Sequence, residues 1–353
     1  MNIRITGTGA YIPRKVVPNS TFNQHDFYDQ TGQKIEKNNA EVIDKFKAIT
    51  GIEERRYADD NVQTSEMASE AAKIAIQNAG VNPEQLDGII VAHNFGNIPG
   101  GSVQTDILPS LASRVKYDLG ISNPNCVAYD VLFGCPGWIQ GLIIARNYML
   151  AGEGKKFLVI GAEALSRVLD PHDRDSMIYA DGAAASILEA EEGNGDRGIL
   201  SVASQTFAKD EAYYLYYDKS YNQAKDDTRY IKMKGHKIYE FALNQVPKAM
   251  QSCLTKSGVE ADQIKKILIH QANEKMDEAI VKRFYRLYKK PVPESIMPMT
   301  IQYLGNSSVA TVPTLLDTML RNDLEGHSLN EGDTVLMASV GAGMNINAIT
   351  YRF

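Results

Sequence analysis

The chain has 353 residues, a mass of 39.0 kDa, 44% hydrophobic and 23% charged residues, and a formal net charge of −6. This is the composition of a globular protein with a large core, built as one large domain or as two halves. The negative charge speaks against nucleic-acid binding through phosphate contacts; three cysteines (Cys126, Cys135, Cys253) are too few for a disulfide framework, and no apolar run reaches the ~20 residues of a membrane helix.

In chain order, 3–8 alternates apolar and polar residues and ends in Gly7-Thr8-Gly9, which predicts a first strand and a turn. Segment 19–61 is polar, with one short helix over 40–49 closed by Thr50-Gly51-Ile52. Met67, Ala68, Ala71, Ala72, Ile74, Ala75 and Ala79 recur at helical spacing. Thr64 or Ser65 can cap that helix and Gly80 stops it. Segment 87–93 is a continuous apolar run, as in a parallel strand covered on both faces. Segment 94–102 is rich in Gly, Asn and Pro and predicts a loop, and 108–119 predicts a helix.

The next stretch organises the chain. Val131-Leu132-Phe133 is strand-like, Gly134-Cys135-Pro136 follows, and Trp138, Ile139, Leu142, Ile143 and Ala145 then recur as one face of a helix. Pro136 suits a first helical position, where its missing N–H costs nothing. Cys135 therefore sits at a strand-to-helix corner, where the helix dipole and free N–H groups favour thiolate. A thiolate beside N–H groups that point at a carbonyl is suited to acyl transfer. The alternative is a small buried Cys beside a tight turn.

Beyond it, 156–163 predicts a buried strand, 170–175 a charged loop, 180–189 a strand of small residues and 200–208 another strand. Segment 210–230 is charged and Tyr-rich and reads as a surface insertion; 234–257 is a long helix. A strand runs into a helix over 264–273, Asn306-Ser307-Ser308 cap a helix over 309–321, 332–343 is a strand into a Gly-rich turn, and 346–353 is a closing strand. Strands alternating with helices predict an α/β fold with parallel βαβ units. Segment 87–94 echoes 266–273, and 156–163 echoes 333–341, and in each half a helix lies between the two strands, the Cys135 helix in the first and the Asn306 helix in the second. These echoes predict one duplicated α/β unit, with halves 1–195 and 196–353 and a site where they meet.

A catalytic Cys needs a His nearby. His25, His172 and His327 lie in polar segments, and His236 lies at a polar helix start. His93 and His270 follow apolar strands, where active-site residues of open α/β sheets collect. His270, followed by Gln271, Ala272 and Asn273, is the stronger candidate, and either histidine can instead be a hydrogen-bonded core residue. Asn306 is either a plain cap or a donor to a developing oxyanion; Gly341-Ala342-Gly343 offers N–H groups for the same purpose or is simply a turn. No metal site is expected, because Cys126 and Cys135 lack CxxC spacing and no HExxH occurs; Gly7-Thr8-Gly9 is too short for a dinucleotide fingerprint. Lys275, Lys282, Arg283, Arg286, Lys289 and Lys290 form a basic helix that either docks an acidic partner or is a solvated face. With no signal-peptide core at the N-terminus, the protein is expected to be cytoplasmic.

Taken together the chain resembles the thiolase-fold condensing enzymes, and within them the β-ketoacyl-acyl-carrier-protein synthase III group. The resemblance rests on Gly7-Thr8-Gly9-Ala10-Tyr11-Ile12-Pro13, Thr50-Gly51-Ile52-Glu53-Glu54-Arg55-Arg56, the Cys135 corner and Ile160-Gly161-Ala162-Glu163. It continues through Asp173-Arg174, Asp181-Gly182-Ala183-Ala184, His270-Gln271-Ala272-Asn273, Gly305-Asn306-Ser307-Ser308 and Tyr351-Arg352-Phe353.

The resemblance implies a thiolase-like five-layered αβαβα architecture and an acyltransferase without metal or cofactor. It implies that Cys135 is the acyl-accepting nucleophile, and that His270 and Asn306 bind a thioester carbonyl and stabilise the enolate of the extender. The N–H groups of Cys135 and Ala342 would form the oxyanion hole; Arg174, Leu108 and Val340 would contact substrate; Lys275, Lys282, Arg283 and Arg286 would dock acyl carrier protein. It also implies thioester substrates on carrier protein or coenzyme A and a homodimer, with no role for nucleic acid or membrane.

The chain departs from the pattern in places. Leu132 and Phe133 precede Gly134 where the family has small residues, and Ala342 replaces a common glycine although alanine tolerates φ > 0 less well. The Trp that stacks on the coenzyme A adenine is replaced near Lys45 or Phe46, while Arg174 matches its partner. Segments 93–105 and 210–230 are long. These departures point to a specialised synthase for carrier-bound chains, of the dialkylresorcinol or another secondary-metabolite type. A non-catalytic partner subunit is disfavoured by the intact Cys, His and Asn. A biosynthetic thiolase would need a second catalytic Cys, and none follows Cys253.

Overall fold

The computed structural model describes residues 1–224 and 227–353. Strand β1 (Asn2–Tyr11) is followed by the antiparallel pair β2 (Lys15–Pro18) and β3 (Glu54–Tyr57), between which lies α1 (Asn39–Thr50). The Gly7-Thr8-Gly9 sequence is not the expected turn, because β1 runs straight through it. A Cβ on Gly7 would come within 2.5 Å of the Ala75 carbonyl oxygen, and one on Gly9 within 2.6 Å of that of Ala71. Both carbonyls belong to α2 (Thr64–Ala79), so the glycines let helix and strand backbones meet. The cap of α2 is Gln63 rather than Thr64 or Ser65; its N–H donates to the Glu66 carboxylate at 2.6 Å. Gly80 ends the helix at φ 64, as its position predicts.

Strand β4 (Gly88–Ala92) is buried throughout. Helix α3 (Leu111–Asp118) starts later than 108, because Pro109 disfavours helix before it and the Ser110 side chain caps the Ser113 N–H. Strand β5 (Val127–Val131) stops short of Leu132 and Phe133. Then come α4 (Gly137–Ala151), β6 (Lys156–Ala164), β7 (Asp181–Glu191) and β8 (Gly198–Thr206). The hairpin β9 (Leu215–Lys219) and β10 (Arg229–Met233) precedes α5 (Gly235–Ser257), β11 (Ile264–Ile269) and α6 (Glu274–Leu287). A short α7 (Ile301–Leu304), α8 (Thr311–Leu320), β12 (Thr334–Gly341) and β13 (Asn345–Arg352) complete the chain.

The large sheet runs β11-β12-β13-β8-β1-β7-β6-β4-β5. From β1 outward the pairings are antiparallel to β7, antiparallel to β6, then parallel to β4 and β5. From β8 outward they are antiparallel to β13, antiparallel to β12, then parallel to β11. Beyond β11 the Ile267 N–H donates to the Ile296 carbonyl at 2.8 Å. One parallel pair, Ile3 against Gly198, joins the two runs of strands.

Helices α4 and α8 lie between these two runs and pack on strands of both; α2 and α3 cover one outer face, and α5, with α6 against it, the other. The layers are therefore αβαβα. A helix between two sheets is apolar on more than one side. In α4 Trp138, Ile139, Leu142 and Met149 are all buried, and α8 is buried from Thr311 to Met319. Each such large apolar side chain adds about 1.5–3 kcal/mol. Among the described residues no helix is long and apolar enough to cross a membrane.

Segment 210–230 is not merely a surface insertion. It carries β9 and leads into β10, whose Lys232 is fully buried with its Nζ 2.5 Å from Asp170 Oδ2 and 3.2 Å from Asp173 Oδ2. Ser220 Oγ and the Tyr221 N–H also donate to Asp170, and the Lys232 ammonium lies 3.5 Å from the Tyr221 ring centre. The charged loop 170–175 is thus partly interior. Losing one member of such a buried set leaves the others uncompensated, so the hairpin is held to one position.

Candidate active site

Cys135 lies between the end of β5 and the start of α4, with Pro136 as the helix cap residue. The turn after β12 is pressed against it. A Cβ on Gly341 would lie 2.4 Å from the Cys135 nitrogen, and one on Gly134 would lie 2.6 Å from the Ala342 nitrogen. Asn345 stitches the two turns together, its Nδ2 donating to the carbonyls of Ala342 at 2.8 Å and Phe133 at 3.3 Å. The backbone freedom expected to be a difficulty at Ala342 is not needed there, since the left-handed conformation falls on Gly343 (φ 75) and Met344 (φ 48).

The expected thiolate is corrected. Burial pushes the Cys135 thiol up to about 11, against the Ser308 hydrogen bond and with the nearby Glu163 carboxylate adding to the rise. A helix start gives a local dipole, but removing the sulfur from water outweighs it.

His270 follows β11. Its N–H donates to the Ala338 carbonyl at 2.9 Å, and its Nδ1 is 3.0 Å from Thr311 Oγ1. Burial holds the ring down to about 4, so it is neutral near pH 7. Gln271 and Asn273 serve the framework: Gln271 bonds Pro298 and Thr300, and Asn273 caps α6. The alternative histidine, His93, is a brace. Its Nδ1 accepts from the Gly96 N–H at 3.0 Å, and its Nε2 is 2.9 Å from Asp130, whose carboxylate also accepts from the Leu111 and Ala112 N–H groups.

Asn306 is fixed at its backbone by the Ile178 carbonyl and the Ala180 N–H. Its Oδ1 accepts from the Ser308 N–H at 2.8 Å, which leaves the amide Nδ2 as the donor end. It does not cap α8 directly, because a 3₁₀ turn over Ser308–Ala310 intervenes. Ser308 Oγ donates to Cys135 Sγ at 3.4 Å.

A cavity of about 190 Å³ opens over Cys135. Gly134, Cys135, Ser308 and Ala342 form one side; Phe95, Tyr179 and, from the hairpin, Leu215, Tyr216, Tyr217 and Ile231 form the other. His270 and Asn306 do not line it, and both connect to Cys135 through Ser308. Among the described residues no group of three or more His, Cys, Asp or Glu is placed to hold a metal ion.

Residues 129–207 match the model of the 3-oxoacyl-[acyl-carrier-protein] synthase III family, and residues 254–353 match the model of its C-terminal part. Over its full length the chain is 32% identical to the β-ketoacyl-[acyl-carrier-protein] synthase III of Staphylococcus aureus strain JH1, covering 99% of that protein. The chain belongs to this synthase III family. The synthase shares its fold with the 3-oxoacyl-[acyl-carrier-protein] synthase III of Aquifex aeolicus VF5, at a TM-score of 0.82 and 27% identity over 100% of both chains. The priming β-ketosynthase of the R1128 polyketide biosynthetic pathway shares the fold as well, at a TM-score of 0.81 and 24% identity over 100% of this chain and 96% of that one. As a synthase III the protein is an acyltransferase that condenses acyl thioesters.

Other residues singled out in the sequence of this synthase land elsewhere. Val340 is buried in the apolar layer under α5, and Leu108 is 87% exposed beside Pro109; neither lines the Cys135 cavity. The Arg174 side chain is exposed, with Asp175 no closer than 4.0 Å. Phe46 is half-buried against the cores around Ile52 and Val42, and Lys45 is exposed. On α6, Lys275, Lys282, Arg283 and Arg286 are all exposed, and Arg283 is also tied to α5 through the Leu243 carbonyl at 3.2 Å and Asn244 Oδ1 at 2.7 Å. The hairpin wall went unread in the sequence. Its signal was the run Leu215-Tyr216-Tyr217 followed by the second short strand-forming run Tyr230-Ile231.

Proposed function

We propose that this synthase accepts an acyl group on Cys135 and joins it to a malonyl-type extender on a carrier protein, giving a β-ketoacyl product. In the first step Cys135 sulfur attacks the thioester carbonyl, its proton leaves with the departing thiol, and the N–H groups of Cys135 and Ala342 take the oxyanion. In the second step the extender's free carboxylate leaves as CO2, and the electron pair of the broken C–C bond becomes the enolate. The enolate attacks the acyl-Cys carbonyl, and Cys135 is expelled as a thiolate that takes up a proton from solvent. Asn306 Nδ2 and the neutral His270 ring serve the extender's carbonyl. The Thr311 hydroxyl lies between the Ser308 carbonyl and His270 Nδ1. The observation that carries this reading is that Cys135 and Asn306 bond Ser308 directly and His270 reaches it through Thr311, with Cys135 and Ser308 on the wall of an apolar cavity. On this reading the thioesters supply the reactive groups, no cofactor takes part, and the enzyme works in the cytoplasm as two duplicated halves, 1–195 and 196–353. A specialised synthase that also cyclises its product would use the same Cys135 chemistry and differ only in the fate of the β-ketoacyl chain.

The donor of the acyl group is proposed to be carrier-bound. No Trp stands at the adenine position, and Phe46 there is half-buried, packed on the cores around Ile52 and Val42. Stacking on a base is worth ~1–3 kcal/mol, so coenzyme A thioesters should bind about 10- to 100-fold more weakly than in a relative with the Trp. The exposed stripe of Lys275, Lys282 and Arg286 on α6 offers an acidic carrier a compensating surface. Acylation of Cys135 by one acyl chain, compared on carrier protein and on coenzyme A, should favour the carrier. The preference should shrink with salt and in Lys282→Glu/Arg286→Glu. Equal or faster acylation from coenzyme A contradicts the proposal.

A homodimer is proposed across the open edge of β5. Val127 on that edge, Leu132 just past it at 66% exposure, and Ile107 and Leu108 ahead of α3 form an exposed apolar set. Light scattering at micromolar concentration should give twice the 39.0 kDa of one chain. A monomer mass would refute it.

A further inference from the structure

We infer that Ser308 is a catalytic residue of this synthase: its hydroxyl donates to the Cys135 sulfur, and Asn94 and Glu163 aim it. The inference rests on the reading of Cys135 as nucleophile and adds a donor to it.

Ser308 joins the three reacting groups by three different atoms. Its N–H donates to Asn306 Oδ1 at 2.8 Å, its carbonyl accepts from Thr311 Oγ1 at 2.5 Å, and its Oγ lies 3.4 Å from Cys135 Sγ. Thr311 Oγ1 in turn touches His270 Nδ1. To do this Ser308 adopts φ 54, a left-handed conformation that a non-glycine residue holds only where its surroundings fix it. Strain of that kind is common at functional sites.

The direction of the hydroxyl follows from counting hydrogens. Ser308 has one O–H hydrogen, and the Asn94 amide has two on Nδ2. Asn94 Nδ2 lies 2.5 Å from Glu163 Oε2 and 3.1 Å from Ser308 Oγ. The Glu163 carboxylate also accepts from the Asn94 backbone N–H at 3.0 Å. Burial pushes the Glu163 carboxyl up to about 7; above that pH it is ionised and can only accept, so it holds the Asn94 amide with nitrogen toward itself, and the second amide hydrogen goes to Ser308 Oγ. Ser308 then accepts from Asn94, and its own hydrogen is left for sulfur. Glu163, Ser308 and Asn306 are buried, so water does not compete well for these hydrogens.

The chemistry gives the hydrogen bond a purpose. Cys135 must become a sulfur anion as it attacks and again as it is expelled, yet burial opposes that charge. A hydroxyl aimed at sulfur opposes the penalty in both steps. Asn94 and Glu163 act only through Ser308 and are positioning residues.

The test is the rate of alkylation of the Cys135 peptide by iodoacetamide across about pH 8 to 10, above the value of about 7 for Glu163 and below that of about 11 for the thiol, where thiolate rises about tenfold per pH unit. Ser308→Ala should give a line parallel to that of the unmodified enzyme and displaced about tenfold downward, as for the loss of a hydrogen bond to a charged group. Ser308→Gly should be displaced equally, and it relieves the φ requirement should the alanine variant fold poorly. Asn94→Ala, which keeps the hydroxyl but not its aim, should be displaced about threefold. Mere loosening of the turn would expose the sulfur and raise the lines, so the sign separates donor from scaffold. Lines at or above that of the unmodified enzyme in the variants that fold overturn the proposal. The readout does not depend on acyl transfer. If Cys135 is not the nucleophile, acyl labelling of the unmodified enzyme fails while the alkylation comparison still reports on Ser308.

Discussion

Replacing Cys135 with alanine should abolish the gain of mass on mixing the protein with an acyl thioester, while Cys126→Ala and Cys253→Ala should leave it intact. Among the described residues Cys135 is the cysteine on the cavity wall. Cys126 is 1% exposed beside α3, and Cys253 is enclosed in α5 against Ser201 and Thr350. Burial raises the thiol in all three, so an unusually acidic thiol is not what distinguishes Cys135. What distinguishes it is access to a cavity and the N–H groups of two abutting turns, which are worth most where charge develops. Intact mass and peptide mapping check this. Labelling that persists in Cys135→Ala would reject the assignment.

His270→Ala and Asn306→Ala should both still take up the acyl group and should each lose carbon–carbon bond formation by about 10²- to 10³-fold, the scale for one oxyanion donor. Neither side chain lines the cavity directly over Cys135, and each bonds to a different atom of the segment Ser308–Thr311. That placement suits a second carbonyl better than the first. Single-turnover condensation by enzyme already acylated separates the two steps, and normal condensation in either variant would remove that residue's role. The histidine also gives a pH signature. Burial lowers its folded pKa from the ordinary value of 6.5 to about 4, so the folded protein resists a proton that the unfolded chain takes up. Stability from this residue is present above the unfolded value and is lost as pH falls through the folded one, by about 3 kcal/mol in all. Thermal unfolding of the unmodified enzyme should therefore fall toward that of His270→Ala between pH 6.5 and pH 4. Condensation should show no fall from protonation of this ring between about pH 8 and 5.

Much of this was legible in the chain because its signals are local. The continuous apolar run that becomes β4 announces a parallel strand, and Gly134-Cys135-Pro136 announces a corner from a strand to a helix. His270 and Asn306 stand out because each follows or precedes such a signal. The Gly7-Thr8-Gly9 sequence misled for a physical reason: a glycine that admits a neighbouring helix looks the same as a glycine that turns the chain. The thiolate expectation failed because the helix start is visible in sequence and the depth of the sulfur is not. The hairpin wall, the Lys232 anchor and the Ser308 junction were out of reach for one shared reason. Ser308 meets Cys135 across 173 positions, and Lys232 meets Asp170 across 62, so no local pattern encodes either contact.

The most direct test is a two-stage mass measurement on the unmodified enzyme. Mixed with an acyl thioester, it should gain one acyl group on the peptide that contains Cys135. On addition of extender-loaded carrier protein that mass should disappear as a β-ketoacyl carrier forms. An acyl group found on another residue, or one on Cys135 that stays when the extender is added, would contradict the account.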